Sequence, residues 1–204
     1  MALNSHAPGK ATFTRIDQST AEDWQVILAH DVEYLDGLPD TVVATLKRLG
    51  EGHQPYQVTR LEHCLQTATR AERAGAEEEM IVAALLHDIG DELALFDHAS
   101  YAASIIRPFV SEKTHWIIKH HDVFQGYYYW DKLGADKHAR ERFRDHPWFD
   151  DCEAFCREWD CPSFDPEYDS LPLDHFMPMV QRIFSRQPYS LAPDPAFPSQ
   201  GLPK

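Results

Sequence analysis

The sequence has no long hydrophobic run and few basic residues, and each absence excludes a class of protein. No apolar stretch approaches the roughly 18–20 residues that a membrane-spanning helix needs, and the first ten residues lack the apolar core of a secretory signal. Lysine and arginine number 19 against 33 acidic residues, which gives a formal charge of −14. Such a chain repels nucleic acid and anionic membranes. We therefore expect a soluble, cytoplasmic protein that acts on a small molecule.

Cysteine is also scarce, with four residues in a chain of 204. Cys152, Cys156 and Cys161 lie close together, but they lack the paired C-x-x-C spacing of a zinc ribbon. In a chain of this length, four cysteines do not indicate a disulfide framework. We expect all of them to be reduced and structural.

Alternation of polar and apolar residues is typical of a half-buried strand. The sequence has no such stretch long enough to form a sheet, so it predicts an all-α protein. Apolar residues recur at helical spacing in the main segments, and Thr59-x-x-Glu62 has the pattern of a capping box. We predict helices over about 20–33, 39–49, 59–75, 77–87, 98–107, 111–121, 136–145, 148–159 and 172–185.

The length fits one domain with a substantial core. We predict a flexible N-terminal arm over residues 1–18, a single domain over residues 19–186, and a tail over residues 187–204. The tail carries five prolines in 18 residues, a composition that favours an extended or disordered segment.

What the sequence has in excess is histidine, with twelve residues. Histidine is the commonest metal ligand. Two antiparallel helices joined by a turn at Gly75 would bring His63 beside His87, and Asp160 is the best distant carboxylate to complete a four-ligand site with Asp88. Each residue alone is more often structural, but the ordered pattern predicts metal binding by one set: His63, His87, Asp88, His98, His121 and Asp160.

This pattern resembles the HD-domain superfamily of metal-dependent enzymes over about residues 56–165. The segments LEHCLQTA, ALLHDIG and REWD are most similar to the HD-domain mixed-valent diiron oxygenases, of the myo-inositol oxygenase and phosphonate-cleaving type. The resemblance implies a single HD-domain helical bundle with two iron ions. One ion would be held by His63, His87, Asp88 and Asp160, and the other by His98, His121 and a bridging Asp88.

The resemblance also implies roles beyond the metal. Asp88 would be catalytic as well as a metal ligand. Arg157 would also be catalytic, since the phosphonate-cleaving members have an arginine at this position that binds the substrate. A structural salt bridge is the alternative role for Arg157 in so acidic a chain. His120 competes with His121 as a ligand, and His121 is preferred because it keeps the family's offset to the Gln-Gly-Tyr-Tyr segment.

The sequence departs from the family at several positions. Asp91 follows the HDIG segment where members of the group have histidine or lysine, and Gln125 replaces a lysine. His53 and Tyr56 occupy the place of the tyrosine and glutamate that gate the iron. These changes remove positive charge, so we expect a substrate that is less anionic than a phosphonate or that carries a cationic group.

Aromatic faces bind quaternary ammonium groups, and the segment 127–130 is Tyr-Tyr-Tyr-Trp, although ordinary packing also explains such a run. Our candidates for substrate binding share a predicted position at the pocket: Tyr56, Asp91, Gln125, Tyr128 and Arg157.

Three functions are compatible with the pattern. The first is a diiron oxygenase that takes a small hydroxylated metabolite and O2, where the metabolite is a phosphonate or a quaternary ammonium compound. The second is a dinuclear phosphohydrolase acting on a phosphate ester or nucleotide, because the same ligands also accept Mn or Zn. The third is a metal-binding module without catalysis. A monomer and a homodimer are equally compatible with the sequence.

Overall fold

The computed structural model describes residues 9–193. All regular secondary structure in that range is helical, and the range contains no strand. Within these residues, eight α-helices are connected by loops and short 3-10 turns: α1 (Ala21–Asp36), α2 (Leu38–Arg48), α3 (Arg60–Arg73), α4 (Glu78–Leu86), α5 (His98–Ile106), α6 (Glu112–Gln125), α7 (Phe149–Ala154) and α8 (Leu173–Phe184). The predicted all-α fold is therefore confirmed. Residues 1–8 and 194–204, which belong to the predicted arm and tail, lie outside the described range.

The short apolar helix α4 forms the centre of the bundle. All its residues from Ile81 to Leu86 are buried, as expected for a helix that is hydrophobic on every side. It packs against α3, α6 and α8, and α5 packs against α6. The C-terminal end of α4 therefore lies among neighbouring helices, and this is where His87 and Asp88 follow.

Local signals in the sequence explain where the helices that carry the site begin. The side chain of Thr59 accepts a hydrogen bond from the backbone N–H of Glu62 at 3.0 Å, so α3 begins at Arg60. Ser111 caps α6 in the same way through Thr114. Gly75 adopts a positive φ of 78° in the turn between α3 and α4, a conformation that glycine adopts without strain.

Two predicted helices differ from the structure. The segment 136–145 contains a 3-10 helix over Ala139–Phe143 instead of an α-helix. The segment 148–159 is divided between α7 and a π-helical turn over Phe155–Asp160, in which the Cys161 N–H bonds to the Cys156 carbonyl at 2.8 Å. That turn contains an extra residue and changes which side chains face inward.

Residues 9–193 contain no helix that is both long and apolar enough to cross a membrane.

Candidate metal centre

The six predicted metal-binding residues lie on five separate parts of the fold. His63 is in the first turn of α3, and His87 and Asp88 follow the end of α4. His98 is the first residue of α5, His121 lies in the last turn of α6, and Asp160 ends the π-helical turn. The bundle brings all six side chains to one place, where their donor atoms lie in three overlapping clusters, and Asp91 joins Asp88 and His98 in one of these clusters.

The first group consists of His63, His87 and Asp160. The two histidine Nε2 atoms are 3.0 Å apart. Asp160 Oδ1 is 3.2 Å from Nε2 of His63 and 3.6 Å from Nε2 of His87. All three side chains are at most 2% exposed.

Asp88 connects this first group to a second group, which consists of His98 and His121 together with Asp88 itself. Its Oδ2 atom lies 3.3 Å from Nε2 of His63 and 3.4 Å from Nε2 of His87. Its Oδ1 atom lies 3.4 Å from Nε2 of His98 and 3.3 Å from Nε2 of His121. One carboxylate therefore faces two pairs of histidines, which is the arrangement of a ligand that bridges two ions.

Backbone carbonyls fix the ring orientation of three histidines. The Nδ1 atoms of His63, His87 and His121 lie 2.9, 2.8 and 2.7 Å from the carbonyl oxygens of Ser163, Ala84 and Ile118, respectively. Because a carbonyl oxygen only accepts, each Nδ1 must donate a proton, and Nε2 of the neutral ring keeps its lone pair. Metal-binding histidines are held in this way.

The donor set fits a metal ion. Ligand atoms at about 2.1 Å from an ion and at right angles to one another are about 3 Å apart, close to the separations in both groups. Two Nε2 lone pairs only 3.0 Å apart repel each other unless a cation or proton lies between them. Asp160 Oδ2 is buried and has no hydrogen-bond partner, which is costly for a carboxylate without a cation.

The electrostatics of the metal-free chain lead to the same conclusion. Burial lowers the pKa of His63, but the nearby carboxylates of Asp160 and Asp88 outweigh it and raise that pKa to about 10. Burial raises the pKa of Asp160, yet its contacts with His63 and His87 hold it well below its usual value. The site therefore favours positive charge, whether from a proton or from a metal ion.

A cavity of about 180 Å³ opens beside the second group. Its lining includes donor residues and aromatic rings: Tyr56, Arg60, His63, Asp88, Asp91, Leu95, His98, Gln125, Tyr129 and Phe164. A larger groove of about 590 Å³ lies at the N-terminal ends of α4 and α6, but no histidine is among its lining residues. The smaller cavity is therefore the better candidate for the substrate.

Three of the five substrate-binding candidates lie at this cavity: Tyr56, Asp91 and Gln125. The amide of Gln125 donates a hydrogen bond of 2.6 Å to Asp160 Oδ1, so this residue contacts a predicted ligand. Asp91 Oδ2 accepts a hydrogen bond of 3.0 Å from Arg60 Nε.

The positions expected for Arg157 and Tyr128 need correction. The π-helical turn directs Asp160 inward but leaves the Arg157 side chain 49% exposed, where it pairs with Glu153 and Glu158. The structural salt bridge, not the substrate contact, is thus what the geometry supports. Tyr128 packs against Tyr127 and does not line the cavity.

His120 stands apart from the donor groups. Its ring stacks on Trp116, and its Nδ1 atom lies 2.7 Å from the Trp116 carbonyl oxygen.

Sequence reasoning missed four residues of the cavity, which are Arg60, Leu95, Tyr129 and Phe164. Phe164 stacks on His63 with ring centroids 4.2 Å apart and also contacts Tyr56. A usable signal existed only for Arg60, which lies three residues before His63 and hence at the same end of α3. The Tyr-Tyr-Tyr run gave no means of choosing Tyr129 over Tyr128.

Comparison with known proteins agrees with this geometry. Residues 60–150 match the HD domain family. The chain is also similar to a [1-hydroxy-2-(trimethylamino)ethyl]phosphonate dioxygenase (glycine-betaine-forming) from Leisingera caerulea, with 48% identity over 59 residues. That match covers 29% of this chain and only 27% of the relative. The family match and the donor geometry agree, because residues 60–150 include five of the six predicted metal-binding residues.

Proposed function

We propose that this protein is a diiron oxygenase that acts on a small hydroxylated metabolite. The observation that carries the proposal is the position of Asp88, whose two oxygens lie within 3.4 Å of four histidine Nε2 atoms in two groups. The likeness to a dioxygenase over 59 residues supports the reaction class.

The ligands suit iron, because imidazole and carboxylate together bind this metal well. His63, His87, Asp88 and Asp160 would hold one ion, and His98, His121 and Asp88 would hold the other. Six side chains leave coordination positions free at two six-coordinate ions. When bound, an Fe(II)/Fe(III) pair supplies the one-electron chemistry with O2 that side chains lack.

The protein's own residues shape the reaction space. Phe164 packs on His63, and Leu95 and Tyr56 line the cavity, so apolar and aromatic side chains lie beside the donor atoms. Gln125 holds Asp160 through its 2.6 Å hydrogen bond. A substrate hydroxyl at this cavity would lie beside the second group of donors.

The cavity also favours a particular substrate charge. Tyr56, Tyr129 and Phe164 contribute aromatic rings, which attract quaternary ammonium groups. Arg60 is the only lysine or arginine among the described lining residues, and it is paired with Asp91 at 3.0 Å. We therefore propose a hydroxylated substrate with a quaternary ammonium group, a group that also occurs in the named substrate of the Leisingera relative.

A phosphohydrolase has less support from these residues. Such an enzyme holds a phosphate dianion with cationic side chains as well as with its metal ions. At the cavity, the guanidinium of Arg60 is already engaged by Asp91.

The proposal is tested on protein purified from iron-supplemented cells and partly reduced. We expect a low-temperature electron paramagnetic resonance signal from a coupled Fe(II)/Fe(III) pair, and we expect small hydroxylated ammonium compounds to change that signal and to start O2 consumption. Phosphate release from a nucleotide panel, without O2 consumption in any compound tested, would contradict the oxygenase and favour the hydrolase.

A further inference from the structure

His98 has different surroundings from the other three histidines. Whereas their Nδ1 atoms lie against backbone carbonyls, Nδ1 of His98 faces a carboxylate oxygen, Asp91 Oδ1, at 3.6 Å. Its Nε2 atom, on the other side of the ring, lies 3.4 Å from Asp88 Oδ1. His98 is also the most exposed of the four, at 21% against 2% or less, so it depends more on a partner for its orientation.

Asp91 is itself held in place from two directions. Its Oδ2 atom accepts a hydrogen bond of 3.0 Å from Arg60 Nε, and its backbone N–H bonds to the Asp88 carbonyl at 3.0 Å. Arg60 is fixed in turn, since its guanidinium also donates to the carbonyl of His53 at 3.4 Å. One carboxylate oxygen therefore faces Arg60 and the other faces His98.

The close approach of the Asp91 turn to α5 depends on Gly90. A Cβ atom at this position would lie 2.9 Å from the His98 carbonyl oxygen and 2.9 Å from Tyr101 Cβ, distances that real side chains do not adopt. The absence of a side chain thus lets the turn pack directly on the first turn of α5, which places Asp91 beside His98.

We infer that Asp91, anchored by Arg60, is a positioning residue for His98 and sets the affinity of the second metal position. A carboxylate that accepts the Nδ1 proton fixes the ring with Nε2 towards the ion and makes that nitrogen a stronger donor. The second position needs this support because three of the predicted donors, His98, His121 and Asp88, serve it, against four at the first. The inference rests on the proposed dinuclear centre but not on the oxygenase reaction.

The test is a titration of the metal-free full chain with Mn²⁺, in which free Mn²⁺ is followed by electron paramagnetic resonance. The wild type should bind two ions. Asp91→Ala should retain the first position and bind the second ion about 10–100-fold more weakly. Asp91→Asn, which keeps the size and one acceptor oxygen, should show a smaller loss in the same position. The matched control is Glu92→Gln, since Glu92 is the next residue and pairs with Arg48 at 3.2 Å; it should bind as the wild type does.

The outcomes separate this inference from the proposed function. Wild-type affinity at both positions in Asp91→Ala would overturn the role of Asp91 while leaving the centre intact. Equal losses at both positions would also overturn it, because Asp91 would then support the whole site and not His98. A wild type that binds a single Mn²⁺ would remove the dinuclear centre and the inference together. O2 consumption is measured separately and does not enter this result.

Discussion

At the scale of single residues, the site depends on groups whose partners come from distant parts of the chain. Gln125 illustrates this, because its amide donates a hydrogen bond of 2.6 Å to Oδ1 of Asp160, a residue 35 positions further along the chain. The same oxygen lies within 3.6 Å of His63 and His87. Gln125 is therefore placed to orient a metal ligand while it also lines the cavity.

Replacing Gln125 with leucine should weaken metal binding. The variant removes the hydrogen bond that orients Asp160, and losses of such partners reduce metal affinity by about 10–100-fold. The measurement is the dissociation constant of the tighter Mn²⁺ ion. Leucine at Gln181, an exposed residue of α8, is the control, and equal affinities in the two variants would show that Gln125 does not orient Asp160.

The order of imidazole and carboxylate groups along the chain predicted the six candidate donors as one set, and the structure brings them close together. That they bind metal stays a prediction. The sequence could not predict their neighbours. Nothing local distinguishes Gln125 as a donor to Asp160, or Phe164 as the ring that stacks on His63 at 4.2 Å. These contacts are set by how helices pack and not by spacing along one helix.

At the scale of secondary-structure elements, helix ends fix where the donors lie. Sequence predicted a capping box at Thr59 and Glu62, and the structure contains one half of it, the hydrogen bond from the Glu62 N–H to the threonine side chain. Because α3 begins there, His63 falls in its first turn, facing α4.

Thr59→Ala should therefore destabilise the protein by about 1 kcal/mol, the typical cost of losing such a cap. Urea unfolding of the metal-free chain measures it. Thr41→Ala, at an exposed position inside α2, should change the free energy of unfolding by less than about 0.5 kcal/mol. A loss at Thr59 no larger than that at Thr41 would mean that the cap does not stabilise α3.

A second element, α6, predicts a pH effect through His115. Burial, together with the positive charges of Arg107 and Lys119, lowers the pKa of His115 to about 4, against about 6.5 in an unfolded chain. Between these values the unfolded chain binds a proton that the folded chain does not. The free energy of unfolding should thus fall as the pH drops from about 6.5 to about 4.

His115→Asn should make this fall shallower in urea unfolding of the metal-free protein across that range. His53→Asn, at an exposed loop position, is the comparison. If the two variants show the same pH dependence, His115 is not the group responsible.

The π-helical turn shows why element type was harder to predict than element position. The apolar spacing over 148–159 predicted one α-helix, but the chain widens at Phe155–Asp160. With that extra residue Asp160 is fully buried at the donor groups while Arg157 points to the surface. The gain that favours the wider turn is the tertiary contact of Asp160 with His63 and His87, which helical periodicity does not encode.

At the scale of the whole molecule, the fold assembles a site from residues that span positions 63 to 160. Five separate stretches contribute donors, so the complete set exists only when α3, α4, α5, α6 and the π-helical turn are packed together. Metal binding and folding are coupled in such an arrangement. The formal charge of −14 adds to the attraction for cations.

The most direct test of the central claim is the number of iron ions per chain in the wild type and in Asp88→Asn, both purified from iron-supplemented cells. Asp88 faces both histidine pairs, at 3.3–3.4 Å. We predict about two ions in the wild type and fewer than about one in the variant, since a bridging carboxylate holds both ions. Asp97→Asn, at the N-terminal end of α5, should keep the wild-type number. One ion or none in the wild type, or two in Asp88→Asn, would contradict a centre bridged by Asp88.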